Sequence, residues 1–368
     1  MFGSSTPGPQ QATAERTGGP LIVTEDECLL DDLLRLCAAA GSEPEVVFGA
    51  PPRAASWDTA PLVLVGAEAG RHVRAVARRG GVLLVGRDPD DAEIWRTALD
   101  IRADHVLLLP DAEHWLVDRI ADVAEGVGRP ALTVGVVGGR GGAGASTLAC
   151  ALAVTSARAR RRTMLIDGDP LGGGIDILVG AERSGGLRWP DLADSRGRVN
   201  SAVLEESLPR LDALSVLSWD RGDQVVIPAQ AMRSVLGAAR RRGGLVVVDL
   251  PRRVDEAVAE TLRQIDIGLL VVPAELRAVA AATRVAAAFS MVLKDLRVVA
   301  RGPFTEGIDD RETARLLGLP LAGELPPESR LPALGSGGPP GSSGRGPLAG
   351  FCTAFLDRAF AGDGSVPA

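Results

Sequence analysis

The chain has 368 residues, 46% of them hydrophobic, and a formal net charge of −7. That length and apolar content suffice for two ordinary cores, which excludes dominant disorder. Residues 1–129 carry 12 Arg against 21 Asp/Glu and residues 130–368 carry 28 Arg/Lys against 26 Asp/Glu, so the front part repels nucleic acid and the remainder is electrostatically undecided.

Residues 1–19 are rich in Gly, Ser, Pro and Gln and are expected to form a flexible N-terminus without a secretory signal. No apolar run approaches the ~20 residues of a membrane-spanning helix, which places the protein in the cytoplasm. Cys28, Cys37, Cys150 and Cys352 show no metal-ligand spacing, so reduced thiols are expected. Lys294 is the single lysine among many arginines.

From Leu21 to about Gly126, five apolar runs (LIVTEDE, EVVFGA, PLVLVGAE, GVLLVGRDPDD, DHVLLLP) alternate with amphipathic stretches. That alternation predicts a parallel α/β sheet of ordinary domain size over residues 20–127. The pattern resembles a receiver domain of the response-regulator type, a flavodoxin-like fold, in degenerate form. Val65 and Gly66 stand where the resemblance places a phosphorylated aspartate, and Leu109-Pro110 replace the lysine-proline pair. Of the acidic cluster only Glu25 and Asp26 remain, so no phosphoryl transfer is expected. His72, His105 and His114 are dispersed through this part and carry no catalytic expectation.

Near Gly126–Pro130 the helical periodicity breaks, and a second α/β region is expected over 130–365. Its predicted strands are 132–138, 163–169, 214–219, 244–250, 267–273, 296–302 and 320–326. Predicted helices are 146–160, 228–242, 253–264, 275–293 and 309–318. Continuous Val/Leu/Ile runs imply strands covered on both faces and hence a mostly parallel sheet. A flexible connector, 335–347, precedes a last amphipathic stretch, LAGFCTAFLDRAF.

Between the first strand and first helix of this region lies VVGGRGGAGAST, residues 136–147. Gly139, four residues, then Gly144-Ala145-Ser146 fit a phosphate-cradling loop except that Ala145 replaces the lysine. Gly139, Gly141, Gly142 and Gly144 let successive amides converge on phosphate oxygens, and the helix N-terminus beginning at Ser146 adds partial positive charge. Neither contribution needs a side chain. Ser146 supplies a hydroxyl suited to Mg²⁺, whereas the missing lysine would have reached the terminal phosphates. Binding of ATP or another nucleotide with Mg²⁺ is therefore expected, with weak or absent hydrolysis.

The stretch RGGAGAST, spanning Arg140, Gly141, Gly142, Ala143, Gly144, Ala145, Ser146 and Thr147, resembles the deviant Walker A loop of the MinD/ParA family of dimeric ATPases. Arg140 takes the place of the family's signature lysine, which reaches a partner's phosphates. Arginine keeps the charge but changes its shape. MLIDGDPLGGG resembles the family segment carrying two aspartates, here Asp167 and Asp169, the latter beside the attacking water. GLVVVDLPRR resembles Walker B and places Asp249 at a buried strand end near the metal. IDIGLLVVPAELRAVAAATRV is similar to the following strand and helix. The base-reading asparagine is replaced, with Ala300 and Arg301 at the end of their strand. A receiver-like half joined to such an ATPase half is similar to actinobacterial septum site-determining proteins and to the CpaE/TadZ pilus-localisation branch.

This resemblance implies a spatial regulator of cell division acting through division or localisation proteins, with a nucleotide-dependent homodimer. Two alternatives stay open: a positioning factor for a pilus or secretion apparatus, and an active ATPase that recruits Arg140. The arginines at 158–162, 240–242 and 252–253 are placed as solvated helix-end charges in preference to a DNA surface. Leu348, Phe351, Cys352, Phe355 and Ala359 share one face of the last stretch, expected to pack on the core in preference to lying on a membrane.

Overall fold

The structure is a computed structural model, describing residues 19–124, 130–195, 198–222, 226–304, 308–327 and 338–361. The expected flexible N-terminus lies outside the described residues up to position 18, as do 335–337 of the expected connector. The chain divides into two compact units, Met1–Val127 and Gly128–Ala368.

In the first unit, β1 (Leu21–Thr24), α1 (Glu27–Ala39), β2 (Glu45–Phe48), α2 (Ala54–Thr59), β3 (Val63–Gly66), α3 (Gly70–Val73), β4 (Val82–Gly86), α4 (Glu93–Ile101), β5 (His105–Leu108) and α5 (Glu113–Ala124) follow in order. The strands pair in parallel as β2-β1-β3-β4-β5, the flavodoxin-like order. Successive residues of β1 and β3 point to opposite faces, so Ile22 and Leu64 enter one core and Leu21, Val23, Val63 and Val65 the other. Leu29, Leu33, Leu36 and Cys37 form the buried stripe of α1. Helix α3 stops at Val73, and beyond it Arg79 donates to the carbonyls of Trp57 and Ala60.

Glu25, Asp26 and Glu68 of this unit serve its own architecture. Asp26 caps α1 by accepting from the amides of Cys28 at 2.8 Å and Leu29 at 3.2 Å, which satisfies orphan donors of the first turn. Glu25 pairs with Arg71 at 2.5 Å and His72 at 3.4 Å. Glu68 folds back over the end of β3, where it accepts from Thr24 and, at 3.1 Å, from the amide of Glu25.

The second unit contains β6 (Leu132–Gly138), α6 (Ala145–Arg158), β7 (Thr163–Asp167), α7 (Ile175–Val179), α8 (Trp189–Leu192), α9 (Ser201–Ser207), β8 (Arg210–Leu211) and β9 (Leu214–Leu217). It continues through α10 (Ala229–Arg241), β10 (Leu245–Leu250), α11 (Glu256–Leu262), β11 (Ile267–Pro273), α12 (Leu276–Ser290), β12 (Leu296–Arg301), α13 (Asp310–Leu317), β13 (Leu321–Leu325) and α14 (Pro347–Ala361). The sheet order is β13-β12-β11-β6-β10-β7-β9-β8, and only the β8–β9 pair is antiparallel. One core lies between the sheet and α10, α11 and α12, the other beneath α6 and α14. Every residue of β10 and β11 is buried, which explains why these strands read as unbroken apolar runs.

Leu348, Phe351, Cys352 and Phe355 of α14 are buried in the core that includes α6, and Ala359 packs against it. Residues 338–346, within the expected connector, form turns, and Arg158 donates to the carbonyl of Ser342. Several arginines from the clusters at 158–162 and 240–242 hold local structure. Arg240 pairs with Asp266 at 3.2 Å, Arg242 with Glu205 at 3.0 Å, and Arg161 stacks over the ring of Phe360 at 4.6 Å. Among the described residues, no helix is long and apolar enough to cross a membrane.

Candidate functional site

Strand β6 runs out at Gly138, where a side chain would strike the carbonyl of Arg140 at 2.9 Å, so the chain leaves the sheet tightly. Gly139 is anchored by its amide to the carbonyl of Val271 at 2.9 Å and lies against Ala282, which would meet an added Cβ at 2.7 Å. Gly142 and Gly144 have φ of +71° and +96°, conformations that L side chains adopt at a cost. Gly141 and Gly142 are exposed, and nothing stands within 4 Å of a Cβ built on Gly142.

Helix α6 begins at Ala145 with Gly144 as its N-cap and no capping side chain. Among the described residues, the amides of Gly141, Gly142, Gly144, Ala145, Ser146 and Thr147 have no hydrogen-bond partner. Six consecutive or near-consecutive donors at a helix N-terminus, with the dipole behind them, form an anion-attracting cradle. Ala143 is the loop residue that turns inward, 1% exposed, and its amide closes on Arg140 at 3.3 Å.

Two carboxylates lie beneath the loop. Asp249 and Asp167 are register partners on adjacent parallel strands β10 and β7 and are 5% and 2% exposed. Burial pushes Asp249 up to about 7, opposed by the hydrogen bond from Ser146 and reinforced by the charges of Asp167 and Asp169. Burial also pushes Asp167 up to about 6, opposed by donors from Ile175, Asp169 and Ser218. Among the described residues, no group of three or more His, Cys, Asp or Glu forms a metal site. A cation here would therefore draw on Ser146, Asp249 and the ligand's own oxygens, Ser146 lying near enough to Asp249 to favour its ionised form.

Asp169, half-buried, accepts the amide of Leu171 at 3.1 Å and donates its own amide to Asp167 Oδ1 at 3.2 Å. The structure therefore brings Ser146, Asp249, Asp167 and Asp169 together. Arg140 turns along the surface to Glu275, Nη2 to Oε1 3.0 Å, with side chains 40% and 50% exposed. Its Nε is buried without a partner.

Sequence reasoning missed several neighbours. Ser218 Oγ lies 3.1 Å from Asp167 Oδ2 and 3.3 Å from Asp176 Oδ1. Asp176 is fully buried and receives Arg221 at 2.7 Å, so a chain of polar groups runs from the carboxylate pair to the surface. Trp189, 1% exposed, donates its indole N–H to the carbonyl of Asp167 at 2.6 Å. Arg301, at the end of β12, donates to the carbonyls of Ala143 at 2.8 Å and Gly142 at 3.3 Å. The only available cues in the sequence were the acidic residue after three glycines at Asp176 and the two tryptophans, 189 and 219.

The raised carboxyls give stability a definite pH dependence in ligand-free protein. Between the unfolded value near 4 and the folded values near 6 and 7, the native state binds more protons than the unfolded state. This contribution is present at low pH and is lost as pH rises through that window. Urea unfolding is expected to show Asp249→Asn gaining stability over the unsubstituted protein at pH 8 more than at pH 5. An equal difference at both pH values contradicts the assignment.

The fold and the loop define an α/β protein whose CheY-like first unit is followed in sequence by a MinD/ParA-like P-loop domain. Residues 23–130 match the family model described as Rv3660c-like, CheY-like N-terminal domain. The chain is 39% identical over 312 residues to Rv3660c of Mycobacterium tuberculosis, across 83% of this chain and 88% of that protein; it belongs to the Rv3660c-like family. It is also 23% identical over 208 residues to a putative septum site-determining protein MinD of Oltmannsiellopsis viridis, across 54% of this chain and 65% of that protein. A solved ParA family ATPase from Chlorobium tepidum aligns with TM-score 0.52 and 16% identity, covering 63% of this chain and 98% of that one.

Proposed function

We propose that the protein is a spatial regulator of cell division, of the septum site-determining kind, in which a nucleotide orders the β6–α6 loop and is hydrolysed weakly or not at all. The observation carrying the reading is the set of unpartnered amides at Gly141, Gly142 and Gly144–Thr147, combined with an alanine at position 145. Main-chain donors and the α6 dipole bind phosphate without the lysine. Loss of that ammonium removes the charge that follows phosphoryl transfer.

In this reading Gly139–Thr147 hold the phosphates of Mg·ATP and Ser146 and Asp249 hold the cation. Asp167 and Asp169 support the loop that faces them. Bound Mg²⁺ would neutralise phosphate charge and keep Asp249 ionised. The nucleotide stabilises a homodimer, and the partners are division or localisation proteins. The likeness to septum site-determining relatives supports division over a pilus or secretion role. The Arg140–Glu275 pairing gives no support to Arg140 acting in its own site.

Titration of the purified protein with Mg·ATP, reading heat of binding and phosphate release together, is expected to show saturable binding with little release. Turnover abolished by Arg140→Ala would overturn the weak-hydrolysis reading in favour of an arginine-driven ATPase. In cells, overproduction is expected to give filaments with misplaced septa. Unaltered septation with loss of pili would instead favour the positioning-factor reading.

A further inference from the structure

Three features compete for a role beyond the loop itself: the cavity at the far end of α6, the surface-connected Asp176–Arg221 pair, and the guanidinium of Arg301. The last carries the argument furthest. Arg301 reaches from the end of β12 to the outside of the β6–α6 loop and bonds two successive carbonyls, those of Gly142 and Ala143. It lies so near that a Cβ on Gly144 would stand 2.9 Å from its Nη1, and a side chain at 144 would displace it. A peptide unit whose carbonyl is held outward keeps the amide of the next residue turned the other way. The two units concerned carry the amides of Ala143 and Gly144.

The charge of Arg301 is also uncompensated. Among the described residues no carboxylate pairs with it, whereas Arg140 is neutralised by Glu275 at 3.0 Å. Arg252 approaches the same loop, its Nη2 3.8 Å from a Cβ built on Gly141, but it is exposed and no hydrogen bond fixes it. Both bonds leave Nη1, which anchors that corner of the guanidinium against the loop before any anion arrives.

We propose that Arg301 is a positioning residue of the phosphate site: entering from β12, it clamps the loop from its carbonyl side and holds a positive charge behind the amides that face the anion. The proposal rests on the reading of the loop as a phosphate cradle. It assigns the site a polyanion preference set by a residue outside the glycine-rich motif.

The test titrates the full chain with inorganic tripolyphosphate in the presence of Mg²⁺, using calorimetry at several salt concentrations. Unsubstituted protein is compared with Arg301→Gln, Arg301→Lys and Arg252→Gln. Glutamine keeps hydrogen-bond donors but not the charge, whereas lysine keeps the charge and donors but not the planar fork. Arg301→Gln is expected to weaken binding about tenfold or more, the scale of one charge-assisted hydrogen bond, and to flatten the salt dependence. Arg301→Lys is expected to stay within about threefold, the ammonium retaining the charge. Urea unfolding of the free variants checks that each is folded. Binding by Arg301→Gln within about twofold of the unsubstituted protein overturns the proposal, as does loss on Arg252→Gln alone. Failure of the unsubstituted protein to bind tripolyphosphate overturns the cradle reading itself, and this proposal with it. If Arg301→Gln proves unfolded, Arg301→Met takes its place in the same titration: binding weakened about tenfold or more supports the role of the charge, and binding within about twofold of the unsubstituted protein overturns it.

Discussion

Replacing Ala145 with lysine is expected to tighten binding of Mg·ATP by about ten- to a hundredfold and to raise phosphate release above the level of the unsubstituted protein. The magnitude follows from a charge-assisted hydrogen bond, about 1.5–3 kcal/mol. Position 145 is the first residue of α6 and is half-buried, so a lysine stem has an outlet beside the loop. Its surroundings otherwise stay intact, and the unfolding free energy is expected to change by less than about 0.5 kcal/mol. Ala145→Gln separates charge from bulk. Calorimetry and a phosphate-release assay on the three proteins make the check. Equal affinity across all three would show that the loop does not receive a terminal phosphate.

The largest stability effect is expected at Trp189. This side chain is fully buried, packs beside Trp219 at 6.2 Å between ring centroids, and ties the carbonyl of Asp167 through its indole N–H. Trp189→Ala removes a large side chain from a core that cannot fully collapse, at a cost of about 3–5 kcal/mol. Trp189→Phe keeps most of the packing and loses the donor, at a cost of about 1–3 kcal/mol. Chemical denaturation measures both. Because Asp167 also accepts from the Ile175 amide at 3.0 Å, the phenylalanine variant tests whether the carboxylate pair moves. A loss under 1 kcal/mol for Trp189→Ala would show that α8 is not part of the cooperative core.

Much of the architecture was legible because burial wrote it into the chain. Strands such as β10 and β11 are covered on both faces and appear as uninterrupted apolar runs, and α10 and α12 are long enough to display a full helical period. The short pieces α7, α8 and α9 and the two-residue β8 show less than two turns or one alternation, which periodicity cannot distinguish from a loop. Strand β7 ends at Asp167, two residues earlier than expected. Gly168 turns there against the carbonyl of Asp249, which its amide meets at 2.8 Å.

At the site, the glycine loop and Asp167, Asp169 and Asp249 were legible because each belongs to a contiguous motif. Arg301 falls in the sequence where the resemblance places the base-reading asparagine, and no motif links it to the glycine loop. Its contact with Ala143 spans 158 residues of sequence and depends on β12 lying two strands from β6. The Arg140–Glu275 pair, 135 residues apart, was invisible for the same reason, and so was the bond from Ser218 to Asp167.

Resonances of the main-chain amides in deuterated, ¹⁵N-labelled protein, followed as inorganic tripolyphosphate and Mg²⁺ are added, report directly on the cradle. The account predicts saturable shifts centred on Gly141, Gly142, Gly144, Ala145, Ser146 and Thr147, obtained with alanine still at position 145. Shifts that never saturate, or that gather elsewhere and leave these six amides unmoved, would contradict it.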